Sequence, residues 1–324
     1  MTRIAQITQT GGPEVIQFQD IELPPPGAGE VRLRQQAVGL NFVDTYFRSG
    51  LYPVQLPTGL GIEAAGTIEA VGEGVTQFQP GDRAVYFGSA MGAYAEARNM
   101  PARNLLAIPD GISTEIAAAV VAKGCTVECL VERCARVQPG MTVLVHAAAG
   151  GVGLILVQWL KAIGATVIGT VGSEAKAEAA REAGADHIIL YRQQDTAKTV
   201  RELTNGAGVP VVLDGVGGAT WQQSLDSTAT RGLIVSYGNA SGQVTGVNLG
   251  TLASAGSIFV TRPTLFHYYQ DPAERQAGIA RLWQMLNDGK ITVTIGQRWP
   301  LLQVADAHHA LEARETTGST LLIP

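Results

Sequence analysis

The chain has 324 residues, of which 46% are hydrophobic and 16% are charged, and its formal net charge at pH 7 is −5. This length is enough for two domains with a substantial core, and the slight acidity argues against a nucleic-acid-binding surface. Because no uninterrupted apolar run is long enough to cross a bilayer and the N-terminus lacks the apolar core of a signal peptide, we expect a cytoplasmic protein that does not bind membranes.

The first part of the chain, up to residue 120, is predicted to be rich in β-strands. Apolar and polar residues alternate over 31–34 and over 66–72, as is typical of half-buried strands. Turn signals rich in proline and glycine separate such segments, at 24–27, 72–74 and 80–82. Short strands with frequent turns indicate a compact, barrel-like domain.

Three cysteines lie close together, at positions 125, 129 and 134. An odd number of cysteines without a neighbouring histidine argues against both a disulfide framework and a zinc site. Cys125 and Cys129 are expected to share one face of a helix. We predict that all three are packing residues, because free cysteine is often buried.

The strongest functional signal is the segment 143–153. It reads as a buried strand, a turn of small residues and the start of a helix that Gly164 ends. Ala148, Gly150 and Gly153 occupy the three positions that glycines hold in the dinucleotide-binding fingerprint. Such a turn lets a pyrophosphate approach the backbone at the positive end of the helix dipole. An ordinary tight strand–helix turn is the alternative interpretation.

Strand and helix patterns alternate from residue 123 to residue 262. The predicted strands are 142–146, 166–171, 187–190, 211–214, 233–237 and 257–261. A helix is predicted over 174–183, and further helices over 273–287 and 304–314 belong to a C-terminal part that we expect to return to the first domain. The alternation predicts an α/β fold with a doubly wound parallel sheet of the Rossmann type.

Several short motifs together resemble the medium-chain dehydrogenase/reductase superfamily and, within it, the NADPH:quinone oxidoreductases of the zeta-crystallin branch. The motifs are GGPE at 11–14, NFVDTY at 41–46, RSGLYP at 48–53, GDR at 81–83, AAAGGVG at 147–153, GNASG at 238–242, Thr-Arg-Pro at 261–263 and GSTLLIP at 318–324. The resemblance is nearly full-length. It implies a β-rich GroES-like catalytic domain formed by 1–122 and 263–324, and a Rossmann NADPH-binding domain formed by 123–262.

The chain departs from the zinc-containing members of this superfamily at the metal-binding positions. Those members have a cysteine where this chain has Asn41, and a Gly-His-Glu motif where it has Gly61, Ile62 and Glu63. Isoleucine cannot bind a metal and asparagine is a poor zinc ligand, so we predict no metal. Hydride transfer to a quinone suits such a site, because the product is a phenol-like oxygen with a pKa of about 10 and needs no Lewis acid.

The position after the second Rossmann strand favours NADPH over NADH. NAD-specific sites usually place an acidic residue there, whereas this chain has Gly172 and Ser173. Lys176 follows one helical turn later and can pair with a 2′-phosphate or simply lie in solvent. The family resemblance implies that Ser173, Lys176, Tyr191 and Arg314 surround that phosphate. The predicted cofactor-binding set is completed by Asn41, Lys123, Thr126, Ala148, Gly150, Gly151, Val152, Gly153, Val216, Tyr237, Gly238, Asn239 and Arg262.

Asn41, Tyr46 and Tyr52 are the predicted catalytic residues that line the substrate cleft. A tyrosine ring can stack on a flat quinone, although either tyrosine could equally be a packing residue. Asp44 is expected to act as a structural hydrogen-bond acceptor rather than as a general base.

Three histidines are expected to have structural roles. We predict that His146 is buried and hydrogen-bonded at the end of its strand. His308 and His309 are expected to point to different sides of one helix, as surface or packing residues.

The sequence therefore predicts a zinc-independent NADPH:quinone reductase. The family resemblance implies a homodimer joined through the apolar edge segment that begins with Ser257 and ends with Thr261. One alternative is an NADPH-dependent reductase of the double bond in α,β-unsaturated carbonyl compounds. Another is a non-enzymatic, crystallin-like protein that binds NADPH.

Overall fold

The computed structural model describes residues 1–88 and 91–324, which form two compact units. The first unit consists of Met1–Ala122 and Ile295–Pro324, and the second of Lys123–Thr294. Within the described ranges, no helix combines the length and the apolar character needed to cross a membrane.

The elements are numbered in chain order. The strands are β1 (Thr2–Ile7), β2 (Gln17–Ile21), β3 (Glu30–Leu40), β4 (Thr58–Gly59), β5 (Glu63–Val71), β6 (Arg83–Phe87), β7 (Ala97–Pro101), β8 (Leu106–Ala107), β9 (Thr142–Val145), β10 (Thr166–Val171), β11 (His187–Leu190), β12 (Val209–Asp214), β13 (Thr228–Ser236), β14 (Phe259–Thr261), β15 (Ile295–Pro300) and β16 (Ser319–Ile323). The α-helices are α1 (Phe42–Ser49), α2 (Thr114–Glu128), α3 (Gly151–Ile163), α4 (Glu174–Glu182), α5 (Thr196–Leu203), α6 (Trp221–Ser227), α7 (Leu249–Ser254), α8 (Leu265–Tyr268), α9 (Pro272–Asn287) and α10 (Val304–Glu312).

The first unit is built mainly of strands around an apolar core, as predicted. A large sheet has the order β15-β16-β3-β5-β6-β8, with β7 also paired to β3, and a small sheet has the order β2-β1-β4. Leu33 and Leu40 of β3 are buried in this core together with Tyr86 of β6. The turns at the strand ends bring α1 and α10 against the same core.

The second unit contains the predicted doubly wound sheet. Its order is β11-β10-β9-β12-β13-β14, and every neighbouring pair is parallel. This is the strand order of a Rossmann fold, so the turns that follow β9, β10, β12 and β13 meet at one edge of the sheet. Leu144, Ile168, Val212 and Ile234 form part of the buried core.

Some element boundaries differ from the sequence-based predictions. The predicted strand 257–261 begins only at Phe259, since Ser257 has a left-handed backbone with φ of 56°. The predicted helix 304–314 ends at Glu312, and Arg314 beyond it also has a positive φ, of 61°. The predicted strand 233–237 is longer, because β13 starts at Thr228.

Residues 263–294 lie in the second unit, whereas we expected them to return to the first. A six-residue π-helix, Cys129–Cys134, follows α2, and polar contacts at this junction hold the segment. Glu128 accepts a hydrogen bond from the Tyr269 hydroxyl at 2.8 Å, and Glu132 accepts one from Arg281 of α9 at 2.9 Å. These contacts connect the segment to the start of the second unit, and only residues 295–324 return to the first.

Candidate active site

The glycine turn after β9 is shaped by close backbone packing. Ala147 has a left-handed φ of 54°, and its carbonyl accepts a hydrogen bond from the Gly150 N–H at 2.9 Å. A Cβ at Gly153 would overlap the Ala147 carbonyl oxygen and would lie 2.7 Å from the carbonyl carbon of Ala148. Glycine at position 153 therefore lets α3 start directly against the turn, which is the role of the third glycine in a dinucleotide fingerprint.

Gly150 is different, because the protein's own packing does not require a glycine there. A Cβ at this position would meet one atom within 4 Å, the Ala147 carbonyl oxygen at 3.3 Å. Its missing side chain leaves room beside the first residues of α3, Gly151 and Val152, whose N–H groups have no partner within the helix. A helix N-terminus with open space fits a pyrophosphate, since the helix dipole favours negative charge there.

The end of β10 gathers the residues predicted to recognise a 2′-phosphate. Gly172 lies under the side chain of Tyr191, since a Cβ on it would be 2.7 Å from the tyrosine hydroxyl. Ser173 is the N-cap residue of α4, and its exposed side chain makes no capping hydrogen bond. Lys176 lies one turn into the same helix and is half-buried. These four residues form one polar corner at the carboxyl edge of the sheet.

Glu174 and Arg314 are the charged residues that the sequence adds to this region. The carboxylate of Glu174 lies 3.7 Å from Arg181 of the same helix, so it is directed along α4. Arg314, the fourth residue predicted around the phosphate, belongs to the first unit, where it is exposed and follows α10.

The loops after β12 and β13 are joined to each other. The buried carboxylate of Asp214 accepts hydrogen bonds from the N–H groups of Val216 at 2.8 Å and Gly217 at 3.1 Å. A Cβ at Gly238 would overlap the carbonyl oxygen of Gly215, so the two loops approach at a position that has no side chain. Val216, Tyr237 and Gly238 therefore lie at the same sheet edge as the glycine turn.

The remaining predicted cofactor residues lie at the ends of β14 and α2. Arg262 donates to the Ser236 carbonyl at 2.8 Å. With the Asn239 amide assigned so that its nitrogen donates to the Gly238 carbonyl, its oxygen accepts from the other terminal nitrogen of Arg262 at 3.2 Å. Lys123 and Thr126 lie one turn apart on α2, and Lys123 is 5% exposed.

In the first unit, Asn41 lies between two buried carboxylates. Its side-chain nitrogen donates to Glu63 Oε1 at 2.8 Å, and its backbone N–H donates to Asp44 Oδ2 at 2.9 Å. Glu63 and Asp44 are both fully buried. The second oxygen of Glu63 accepts from the Ala122 N–H at 2.9 Å. Asp44 is thus a structural acceptor, as predicted.

Tyr46 of α1 and Tyr52, which follows that helix, lie against each other. Their ring centroids are 5.2 Å apart with the planes at 64°, and the Tyr52 N–H donates to the Tyr46 carbonyl at 3.0 Å. Phe42 and Phe47 pack at the edges of this pair. Asn41 therefore caps the N-terminus of α1, whereas the tyrosine pair is formed by a residue of the C-terminal half of that helix and a residue that follows it.

A buried network of hydrogen-bonded polar side chains extends from Asp44, and the sequence did not predict it. The Tyr94 hydroxyl donates to Asp44 Oδ2 at 3.0 Å, and His308 Nε2 lies 2.9 Å from that hydroxyl. Arg48 Nη1 lies 3.0 Å from His308 Nδ1 and donates to Glu312 at 2.9 Å. Because arginine can only donate, His308 Nδ1 accepts and Nε2 carries the proton. The spacing of residues along the sequence gave no signal for this network, because its members are far apart in sequence.

In this network, the neutral side chains of His308 and Tyr94 lie between the charged groups of Arg48 and Asp44. Burial lowers the pKa of His308 to about 3, and the nearby Arg48 contributes to this lowering, so the imidazole is neutral. Burial and the adjacent Asp44 carboxylate hold the pKa of Tyr94 well above its ordinary value. His308 is fully buried whereas His309 is exposed, so the two histidines do point to different sides.

Other titratable groups are consistent with structural roles. His146 is buried, as predicted, with Nδ1 at 3.0 Å from the Thr170 hydroxyl, and burial lowers its pKa. Cys125 and Cys129 are buried free thiols, and burial raises the pKa of Cys129 to about 12. A thiol with so high a pKa is a poor nucleophile. Within the described residues, no group of three or more His, Cys, Asp or Glu side chains could hold a metal ion.

Two protein-family models match the chain, one in each half. A model described as "Alcohol dehydrogenase GroES-like domain" matches residues 27–110. A model described as "Zinc-binding dehydrogenase" matches residues 151–275. The first match supports the GroES-like character predicted for the β-rich unit, and the second lies within the unit that holds the parallel sheet.

The chain is also similar to characterised proteins over its full length. The quinone oxidoreductase of Pseudomonas aeruginosa is 50% identical, and the alignment covers 100% of both chains. The 2-haloacrylate reductase of a Burkholderia species is 40% identical, with 100% of this chain and 99% of that protein covered. The crystal structure of Escherichia coli quinone oxidoreductase in complex with NADPH superposes with a TM-score of 0.96 at 46% identity, covering 99% of this chain and 100% of that one. These similarities include both units.

Proposed function

The chain belongs to the quinone oxidoreductase family of the medium-chain dehydrogenase/reductase superfamily, and on that premise we propose that it reduces quinones with NADPH. The observation that carries the proposal is the 50% identity to a quinone oxidoreductase over the whole of both chains. The open glycine turn supports the same activity, because it leaves space for a pyrophosphate at the N-terminus of α3.

NADPH is the cofactor in this proposal and supplies the hydride. The turn at Gly150 and the N-terminus of α3 hold its pyrophosphate. Ser173, Lys176 and Tyr191 bind the 2′-phosphate, with a hydroxyl, an ammonium and a phenol at one corner of the sheet. Arg314 from the first unit is proposed as a further phosphate ligand.

The remaining predicted cofactor residues have positioning roles in this proposal. Val216, Tyr237, Gly238, Asn239 and Arg262 shape the sheet edge, and Lys123 and Thr126 contribute polar groups from α2.

On the substrate side, we assign Asn41, Tyr46 and Tyr52 to the quinone. Tyr52 is half-buried and rests edge-to-face on the buried Tyr46, so its ring is the aromatic group against which a flat substrate can stack. Asn41, which stands where zinc-containing members have a cysteine, donates a hydrogen bond to Glu63, and Ile62 stands where those members have a histidine. We propose that the protein acts without metal, by positioning the two reactants and excluding water.

Reduction of activated double bonds is a second candidate function. The 40% identity to 2-haloacrylate reductase over nearly the whole of both chains favours it. An activated double bond also accepts hydride without a Lewis acid when a conjugated group spreads the charge. The same residues would then hold a smaller, less aromatic substrate.

A panel of acceptors tests both candidates. Purified protein is incubated with NADPH and either several benzoquinones and naphthoquinones or several enones and a haloacrylate, and loss of NADPH is followed by absorbance. We expect faster turnover with the quinones. Faster turnover with the enones would favour the second candidate, and NADPH binding without any turnover would favour the non-enzymatic alternative. Metal analysis of the same preparation tests the metal-free assignment.

We further propose a homodimer joined through β14. This strand is the last in the order of the six-stranded sheet, and its residues Phe259 and Val260 are 64% and 39% exposed. Leu249, which precedes it on α7, is 80% exposed. An exposed apolar edge strand is suited to pairing with a second copy. Light scattering should give twice the chain mass for the wild-type protein and the chain mass for Phe259→Lys.

We also propose a cytosolic location. The three cysteines are free thiols, as expected of a protein in a reducing compartment. Cell fractionation should recover the protein with soluble cytosolic markers, and recovery with another compartment would contradict this assignment.

A further inference from the structure

The amide of Asn41 has a defined orientation because of the group it faces. Its nitrogen lies 2.8 Å from Glu63 Oε1 and 3.5 Å from the Gly39 carbonyl oxygen. Both of these atoms accept hydrogen bonds, so the amide nitrogen must face them. The amide oxygen faces the backbone N–H of Asp44 in the capping box at the start of α1, and its remaining lone pair is the acceptor that Asn41 can offer to a ligand.

Glu63 is itself fixed on both sides. Its other carboxylate oxygen accepts from the Ala122 N–H at 2.9 Å, a backbone donor that cannot be inverted. Gly39 lies opposite Glu63 across β3 and β5, and a Cβ at Gly39 would overlap the Glu63 carboxylate. The missing side chain at Gly39 thus makes the space in which the carboxylate lies over β3 and reaches Asn41.

We infer that Glu63 is a positioning residue that turns the Asn41 oxygen toward the ligand, where it selects a group with an N–H or O–H donor. The inference rests on the proposed function. The donor has two possible sources, which share this chemistry: the ribose hydroxyls and carboxamide of NADPH, or the hydroxyl of the reduced quinone. A quinone carbonyl has no such proton and only accepts, so it cannot hydrogen-bond to the Asn41 oxygen.

Glu63→Gln is the direct test, because it should reverse the direction of the hydrogen bond between the side chains at positions 41 and 63. The oxygen of the introduced glutamine is expected to keep the Ala122 N–H, so its NH₂ group faces Asn41 and turns the Asn41 oxygen inward. Asn41→Asp in the same chain should reverse the effect. The introduced aspartate then accepts from the glutamine NH₂ group with one oxygen and presents its other oxygen to the ligand. The double variant Asn41→Asp/Glu63→Gln also keeps the total charge of the pair.

The readouts are the Kd for NADPH without quinone, measured by fluorescence, and the inhibition constant of a hydroquinone. We expect Glu63→Gln to weaken one of the two by about tenfold or more, and the double variant to restore it. Weaker NADPH binding assigns the donor to the cofactor, and weaker inhibition assigns it to the reduced quinone. Wild-type turnover with quinones tests the proposed function separately, because the inference concerns only the ratios between variants.

Asn41→Ala gives an independent check that does not depend on the double variant folding. If Glu63 acts through Asn41, adding Glu63→Gln to Asn41→Ala leaves both constants unchanged. A merely structural Glu63 would lower the thermal midpoint of Glu63→Gln and leave both constants as in the wild type. That result would overturn the inference, as would an additional loss of about tenfold when Glu63→Gln is placed on Asn41→Ala.

Discussion

The two units carry their candidate site residues in different ways. In the second unit, backbone geometry does most of the positioning, through a parallel sheet, a tight turn and glycines at close approaches. In the first unit, Asn41 is positioned by side chains that come from distant parts of the sequence. A site made by the backbone should depend on the space at a few glycines, whereas a site made by side chains should depend on each buried polar partner.

The largest expected effect on stability comes from breaking the buried hydrogen-bonded network at Arg48. Its side chain is 3% exposed and pairs with Glu312 at 2.8 Å. Arg48→Met should lower the free energy of unfolding by about 2–3 kcal/mol, because the buried His308 Nδ1 loses its donor, whereas Glu312 is 38% exposed and can be hydrated. Arg34, which pairs with Glu69 at 2.9 Å but is 46% exposed, is the matched control. Arg34→Met should cost about 1 kcal/mol or less. Equal losses of unfolding free energy in the two variants, measured by urea titration, would contradict the distinction between the buried and the exposed arginine.

In the second unit, two neighbouring glycines separate packing from ligand space. Gly153→Ala should destabilise the fold by about 1–3 kcal/mol, because its Cβ would meet backbone atoms that cannot move away. Gly150→Ala should leave stability nearly unchanged and raise the Kd for NADPH by about tenfold or more, which is about 1.4 kcal/mol. Thermal unfolding and fluorescence titration measure the two effects. If Gly150→Ala bound NADPH like the wild type, the pyrophosphate would not lie at this turn.

The neutral His308 predicts how stability depends on pH. Its pKa falls from an ordinary value of 6.5 to about 3 in the fold, so the unfolded chain takes up this proton first. Stability is unaffected by this group above pH 6.5 and declines by about 1.4 kcal/mol per pH unit as the pH falls toward 3. At pH 5 the loss is about 2 kcal/mol. His308→Gln should lack this component in urea titrations at pH 5 and 7, and an identical pH dependence in both proteins would contradict the assignment.

A smaller effect is expected at the exposed edge of the cofactor site. Lys176→Ala should weaken NADPH binding by about tenfold and leave NADH binding unchanged, because only NADPH carries the 2′-phosphate. In the wild-type protein, the preference for NADPH over NADH should shrink at high salt, since the Lys176 charge is partly exposed. Lys198, an exposed lysine on α5 of the same unit, is the control. Equal weakening of both nucleotides by Lys176→Ala would place the phosphate elsewhere.

The same contrast explains what the sequence could predict. The strand and helix alternation, the glycine turn and the strand ends that carry Gly172 and Gly238 are local patterns, and the structure has them where they were predicted. Local pattern also identified Asn41 and Ile62 as departures from a zinc motif. It did not reveal that Asn41 binds Glu63, because this contact depends on the pairing of β3 with β5.

Long-range side-chain contacts were beyond local reasoning. Tyr94 reaches Asp44 across 50 positions and His308 across 214, so no spacing rule connects them. The same limit caused the misplaced domain boundary after residue 262. The contacts that hold that segment, such as Glu132 with Arg281, join residues 149 positions apart.

The central claim, hydride transfer from NADPH to a quinone without a metal, has one direct test. Chelator-treated protein is given NADPH or NADPH deuterated at the transferring carbon, and the rate of quinone reduction is compared. We predict full activity after chelation and a slower rate with the deuterated cofactor. Activity that disappears on chelation and returns with added zinc, or no reduction of any quinone, would contradict the account.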